Sequence, residues 1–300
     1  MISNLQDLLA TAAERPAKRL VAAYANDSHT IKACADAVER GIITATLVGD
    51  KTTITDICRA ENIDPSKFEI EDEKGDMESV ATAVSLVASG KGDILMKGLV
   101  STDKYMRGIL SKDMGLVPPK GILSHVSVID LPSMDRLLTV SDVAVIPAPD
   151  LNAKKAMIGY CAKVAARLGC TSPKVALIAP SEQVLPAIPS SAEAAILSKM
   201  GDRGQLPGGG VVDGPLALDV AIDPESARIK KLAGPVAGNA DCLIFPNIES
   251  ANVFFKSCTK LAGAEVAAIV VGAKVPCVLT SRGDSETTKL CSIALAALMA

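Results

Sequence analysis

The chain of 300 residues has no tryptophan, and its aromatic residues amount to only 2%. A nucleic-acid reader built on base stacking needs more rings than that. The net charge of −3 also gives no basic footprint for a phosphodiester backbone. Only two histidines occur, His29 and His125, and no C-x-x-C pair is found. A zinc site is therefore not expected. The G-x-G-x-x-G fingerprint is missing as well; three consecutive glycines, Gly208 to Gly210, read as a loop instead. No apolar run approaches the ~20 residues that a membrane span needs. The opening "ISNLQDLLATAAERPAKR" lacks the apolar core of a signal peptide. A soluble cytoplasmic protein is expected, with no nucleic-acid and no membrane partner.

What the chain does have is aliphatic: apolar residues make up 49% of it. A core of Ala, Val, Ile and Leu suits parallel sheets covered by helices. The eight cysteines lie mostly in apolar runs such as "ADCLIF" and "VPCVLT", where a reduced thiol behaves as a small core residue. Short apolar runs alternate with helical stretches. Strands are predicted at 19–25, 44–50, 68–72 and 93–98, with helices at 27–41, 52–63 and 76–92. Around Pro147-Ala148-Pro149 the pattern restarts with a helix over 152–169, a strand over 174–181 and a helix over 190–204. Further apolar segments at 211–222, 240–248 and 275–281 alternate with a helix over 249–263. The last segment, "SETTKLCSIALAALMA", reads as an amphipathic helix. Such alternation implies an α/β fold with two α/β domains. The restart places the second at 141–282, leaving 1–140 plus 283–300 for the first.

Four segments carry polar residues where apolar strands end. In "LMKGLVSTDKYMRGILSKDMG" a buried strand ends at Lys97-Gly98, and a helix starts at Ser101-Thr102. The amides of a helix N-terminus with two hydroxyls can hold an anion, Lys97 adds a point charge, and Arg107 adds a fork. A plain reading competes, with Ser101 as an ordinary helix cap. In "VLTSRGDSETTK" another strand ends at Ser281-Arg282, followed by Asp284 and Glu286. Ligands in open α/β sheets sit beyond such carboxyl ends. Arg282 there can bind phosphate or polarise a carbonyl, and either acid can serve as base. A capped, solvated helix start fits the same residues. In "FPNIESANVFFK", Asn247 ends a strand, and Asn252 and Lys256 fall four apart on one helix face. They face either a cleft or solvent. In "GDRGQLPGGGVVDGPLALDV" and just beyond, Asp213, Asp219 and Asp223 are weighed as metal ligands, but lack further acidic partners.

Taken in order, "KGLVSTDKYMRGIL", "DGPLALDVAI", "ADCLIFPNIESANVFFK" and "VLTSRGDS" resemble the phosphate acyltransferases, the family of phosphate acetyl- and butyryltransferases. The K-G-L-V-S-T form is similar to the butyryl branch. The resemblance implies a fold like that of isocitrate and isopropylmalate dehydrogenases, with two α/β domains flanking a cleft and the second inserted in the first. It implies transfer of a short acyl group between coenzyme A and inorganic phosphate, butanoyl-CoA + phosphate ⇌ CoA + butanoyl phosphate, directly in a ternary complex. Acetyl-CoA is the alternative substrate; a same-fold β-decarboxylating dehydrogenase and an inactive coenzyme A-binding regulator are the rival readings. The implied partners are acyl-CoA, phosphate and acyl phosphate, with no metal and no cofactor beyond coenzyme A as substrate. A homo-oligomer, at least a dimer, is expected. Carried onto this chain, Ser281 and Arg282 become catalytic, with Asp284 or Glu286 as base. Lys97, Ser101, Thr102, Arg107, Asn247, Asn252 and Lys256 become substrate-binding. The chain departs from the acetyl branch at one position: Thr288 stands six residues after Arg282, where that branch has an aspartate.

Overall fold

The computed structural model describes residues 1–280 and 284–300. Along the chain come α1 (Leu5–Ala13), β1 (Lys18–Ala23), α2 (Ser28–Glu39), β2 (Ile43–Gly49), α3 (Lys51–Ala60), β3 (Phe68–Asp72), α4 (Asp76–Ala88), β4 (Ile94–Lys97) and α5 (Thr102–Leu110). Next are β5 (Ser124–Asp130), β6 (Leu138–Ser141), α6 (Leu151–Arg167), β7 (Lys174–Ile178), α7 (Pro189–Asp202) and β8 (Val211–Leu216). Then follow α8 (Leu218–Ile222), α9 (Pro224–Ile229), β9 (Cys242–Ile244), α10 (Ile248–Lys260), β10 (Glu265–Val271), β11 (Cys277–Val278) and α11 (Glu286–Met299).

The chain forms two compact units. One comprises residues 5–123 and 266–300; the other comprises 1–4 and 124–265 and is inserted within it. The inserted unit thus begins and ends earlier than the 141–282 read from the sequence restart. The reason lies in strand pairing. β5 joins β6 in an antiparallel pair, which takes it into the inserted unit. At the other end, β10 pairs antiparallel with β11 and stays with the first unit.

In the first unit the strands run in the order β3-β2-β1-β4-β11-β10. All neighbours are parallel except β10 with β11. Strand β4 is buried along its whole length, as a central parallel strand must be. In the inserted unit the order is β5-β6-β9-β7-β8, parallel except for β5 with β6. Pro215 sits in β8, the last strand of that order, where a missing amide is tolerated.

Helix starts follow local chemistry. Asp27, Asp50, Ser101, Asp150, Asn247 and Ser285 each accept a backbone amide from the first turn of the helix they open. Other features escape local reading. The sequence pattern leaves α1 and β10 unassigned. It also reads 211–222 as one apolar stretch, which the structure divides into β8 and α8. Helix α11 is not amphipathic in the expected sense: every residue from Lys289 to Leu298 is buried. It packs against α1, α2, β4 and β11, so all its faces meet protein.

The inserted unit is pinned by Asp142. One carboxylate oxygen accepts from Ser124 Oγ at 2.9 Å and His125 N at 2.9 Å. The other accepts from Ala144 N at 2.9 Å and Val145 N at 2.8 Å. The side chain is 2% exposed. Asp142→Ala strands the buried donors of Ser124 and His125 and frees the amides of Ala144 and Val145, and is expected to cost about 2–4 kcal/mol. Urea unfolding measures it; a midpoint equal to wild type would show that the bonds are dispensable.

Candidate functional site

In the first unit the strand order reverses between β1 and β4. The chain runs outward from β1 to β2 and β3, then returns to β4 on the other side of β1. The carboxyl ends of these strands are where an open α/β sheet receives ligands. Here the backbone is drawn tight. Gly98 N donates to Ala23 O at 3.0 Å, and Leu99 N donates to Tyr24 O at 2.8 Å. A Cβ at Gly98 would lie 2.3 Å from Tyr24 O, so only glycine fits. Tyr24 itself has φ of 58°, a left-handed backbone that is uncommon for a residue with a side chain.

Lys97 is the last residue of β4 and is 4% exposed. Its Nζ donates to Gly98 O at 3.2 Å. Four residues on, α5 begins. Ser101 is its cap, with Oγ accepting Lys104 N at 3.3 Å. The cap role and an anion role coexist, because the hydroxyl accepts with its oxygen and keeps its proton to donate. Thr102 is exposed at the first helical position. Arg107 lies on the exposed face of α5 and pairs with Asp103 at 2.9 Å.

Ser281 and Arg282 lie outside the described residues. Thr280 just before them is buried and accepts from Lys289 Nζ at 3.2 Å. Glu286 opens α11, and its carboxylate lies 3.5 Å from Lys32 Nζ and 3.6 Å from His29 Nδ1. Asp284 is half-buried. Thr288 receives a hydrogen bond from Ser285 Oγ at 3.1 Å and donates its amide back to that oxygen. Asp27 caps α2, and its second oxygen is buried without a hydrogen-bond partner among the described residues.

In the inserted unit, Asn247 caps α10. Its Oδ1 accepts from Ser250 N at 2.9 Å and Ser250 Oγ at 2.8 Å. Asn252 Nδ2 donates to Val143 O at 3.0 Å, and Lys256 Nζ stands 5.3 Å from the centroid of the Phe255 ring. Among the described residues no group of three or more His, Cys, Asp or Glu is placed to hold a metal. Asp213 accepts the Gly214 amide, Asp219 pairs with Lys230, and Asp223 caps α9.

Seven of the cysteines are buried and Cys170 is half-buried. Burial, with Asp27 adding to it and Lys289 opposing, pushes the Cys34 thiol up to about 12. Burial likewise pushes Cys277 up to about 12. Since the thiolate is the nucleophile, these groups are inert at neutral pH.

Lys289, Thr280 and Tyr24 were not picked out by motif reasoning. The available signal was a lone lysine at the head of an otherwise apolar run, "LCSIALAALMA". Tyr24 offers no local signal, because its backbone angle is set by the strand exit.

The fold is an α/β one, with a buried lysine and a helix N-terminus where the strand order of the first unit reverses. A family described as "Phosphate acetyl/butaryl transferase" matches residues 77–297, and the chain belongs to it. It is 44% identical over 300 residues to a phosphate butyryltransferase of Clostridium beijerinckii, covering 100% of this chain and 99% of that one. It is 40% identical over 299 residues to a phosphate acetyltransferase of Rhizobium meliloti, covering 99% and 94%. A solved branched-chain phosphotransacylase from Enterococcus faecalis V583 aligns with TM-score 0.82 at 29% identity, covering 94% of this chain and 99% of that chain.

The thiol environments make a direct prediction. With a chromogenic disulfide at pH 8, Cys170 is expected to react first in the native protein, and all eight cysteines only in denaturant. Rapid native reaction at Cys34 or Cys277, located by peptide mapping, would contradict the burial described.

Proposed function

We propose that this chain is an acyltransferase that moves a short acyl group between coenzyme A and inorganic phosphate: butanoyl-CoA + phosphate ⇌ CoA + butanoyl phosphate. The observation that carries the reading is the buried Lys97 at the end of β4, four residues before the N-terminus of α5, in a chain of this family. A phosphate dianion suits such a place, because amide dipoles, hydroxyls and an ammonium all favour negative charge. Lys97, Ser101 and Thr102 hold phosphate in this reading, with Arg107 leaving Asp103 to join them. Asn247, Asn252 and Lys256 serve coenzyme A. The likeness to the isocitrate and isopropylmalate dehydrogenase fold, assembly into a homo-oligomer and a cytoplasmic location belong to the same proposal.

The step is direct. A phosphate oxygen attacks the thioester carbonyl, and negative charge builds on the carbonyl oxygen. The C–S bond breaks, and coenzyme A leaves as a thiolate that takes up a proton. Arg282 meets the growing charge, and Ser281 donates to the departing sulfur. Loss of one such donor typically costs about 10²–10³ in rate. In reverse the coenzyme A thiol, with a pKa near 8.5, must lose its proton. Asp284 or Glu286 acts as that base. For Glu286 this requires release from Lys32. Most of the rate gain comes from orienting two bound substrates. No resident metal or nicotinamide takes part, so activity is expected to survive EDTA; its loss and recovery with magnesium would refute this.

The acyl chain is set by comparing rates. Thiol release from acetyl-, propionyl-, butyryl- and isobutyryl-CoA with phosphate tests the reading, and the R. meliloti acetyltransferase at 40% identity makes acetyl-CoA the specific alternative. No thiol release with any of the four would sink the proposal. Variants should then differ in kind. Lys97→Ala and Thr102→Val are expected mainly to raise KM for phosphate, since they remove ground-state binding. Arg282→Ala is expected mainly to lower kcat, by about 10²-fold or more. Arg282→Lys should recover little, because an ammonium lacks the planar fork. Near wild-type kcat in Arg282→Ala would remove Arg282 from the reacting centre.

A further inference from the structure

We infer that Lys289 and Tyr105 are positioning residues, which hold the carboxyl end of β11 and the peptide as far as Thr280 from two sides. The inference rests on the acyl-transfer reading above, in which Ser281 and Arg282 act on the thioester. Neither Lys289 nor Tyr105 belongs to the set of substrate-binding or catalytic residues in that reading.

Strand β11 is only two residues long, Cys277–Val278. It registers two residues against β4 and two against β10. So short a ladder gives few strand pairs to fix the direction of the peptide at Leu279 and Thr280. Two buried side chains take over. Tyr105, on α5, is fully buried. Its hydroxyl donates to Leu95 O at 3.2 Å and Val278 O at 3.3 Å, sharing one proton between β4 and the end of β11. Lys289, on α11, reaches Thr280 Oγ1 at 3.2 Å. Thr280 immediately precedes Ser281.

The choice of a lysine is informative. Burying an ammonium is costly unless it is compensated, and an apolar residue would cover Thr280 with no such cost. Lys289 is 5% exposed and heads a run that is buried through Leu298. Held by a helix packed on all faces, the ammonium is a rigid anchor, which is what a reacting group needs from its support. A displacement of about 1 Å at a reacting group can cost about 10²-fold in rate.

The test uses Lys289→Met, Thr280→Val, their double variant, Thr280→Ser and Tyr105→Phe, all near-isosteric. Steady-state kinetics vary phosphate with butyryl-CoA. Lys289→Met and Thr280→Val are each expected to lower kcat about 10–10²-fold, with KM for phosphate within about twofold of wild type. The double variant should lose less than the product of the two single losses, because the two residues share a link. Thr280→Ser should retain more kcat than Thr280→Val, and Tyr105→Phe should also lower kcat. Unchanged kcat in Lys289→Met, multiplicative losses in the double variant, or a rise confined to KM for phosphate would each overturn the inference. A merely structural role would lower the melting temperature without this kcat pattern. Wild-type protein that releases no thiol defeats the acyl-transfer reading instead. Amide exchange at Leu279 and Thr280 then decides the clamp: faster exchange in Lys289→Met supports it, and unchanged exchange overturns it.

Discussion

The amides of Gly98 and Leu99 bond across to the carbonyls of Ala23 and Tyr24, at the place where the first unit's sheet reverses its strand order. Much of the candidate site follows from that contact. It brings two strand exits closer than any Cβ allows, which is why position 98 is glycine. It turns the chain out of β4 straight into α5 and leaves Lys97 buried at the strand end. It also directs α5 so that Tyr105 comes back under the sheet to meet Leu95 and Val278. A change at the β1 exit would therefore reach the helix terminus, the buried cation and the neighbouring strand together.

Charge in this unit is handled in two ways. On the surface, Arg107 with Asp103 and Glu286 with Lys32 are exposed pairs of the kind that contribute little to stability. Inside, Lys97 and Lys289 carry charge at the ends of β4 and β11, where desolvation is expensive. The buried thiols nearby move the opposite way. Their protons are held more tightly, which keeps sulfur out of the chemistry.

Structural and functional readings of a polar residue need not exclude each other. Ser101 caps α5 and still has a proton to donate. Asn247 is more committed, since its side-chain oxygen accepts two hydrogen bonds from Ser250 and only its amide nitrogen remains for other work. Asn252 is held by Val143 O through one of two amide hydrogens. These differences rank the polar groups by how much of each remains for a substrate.

Local sequence determined a good deal of this protein. Apolar runs with glycine and capping residues at their borders marked most parallel strands and helices, because a fully buried strand needs consecutive apolar residues and a helix start needs an acceptor for its free amides. The ordered motifs around Lys97, Asn247 and Arg282 marked the family. Local pattern did not determine the unit boundaries, which depend on β5 choosing β6 and β10 choosing β11. It did not show that Lys289 is buried, because a lysine early in a helix is ordinarily solvated, and only packing by α1, α2 and the sheet removes the water. Nor did it show that Tyr24 takes a left-handed backbone or that Tyr105 bridges two strands. Those are consequences of long-range contacts, and tertiary structure alone decided them.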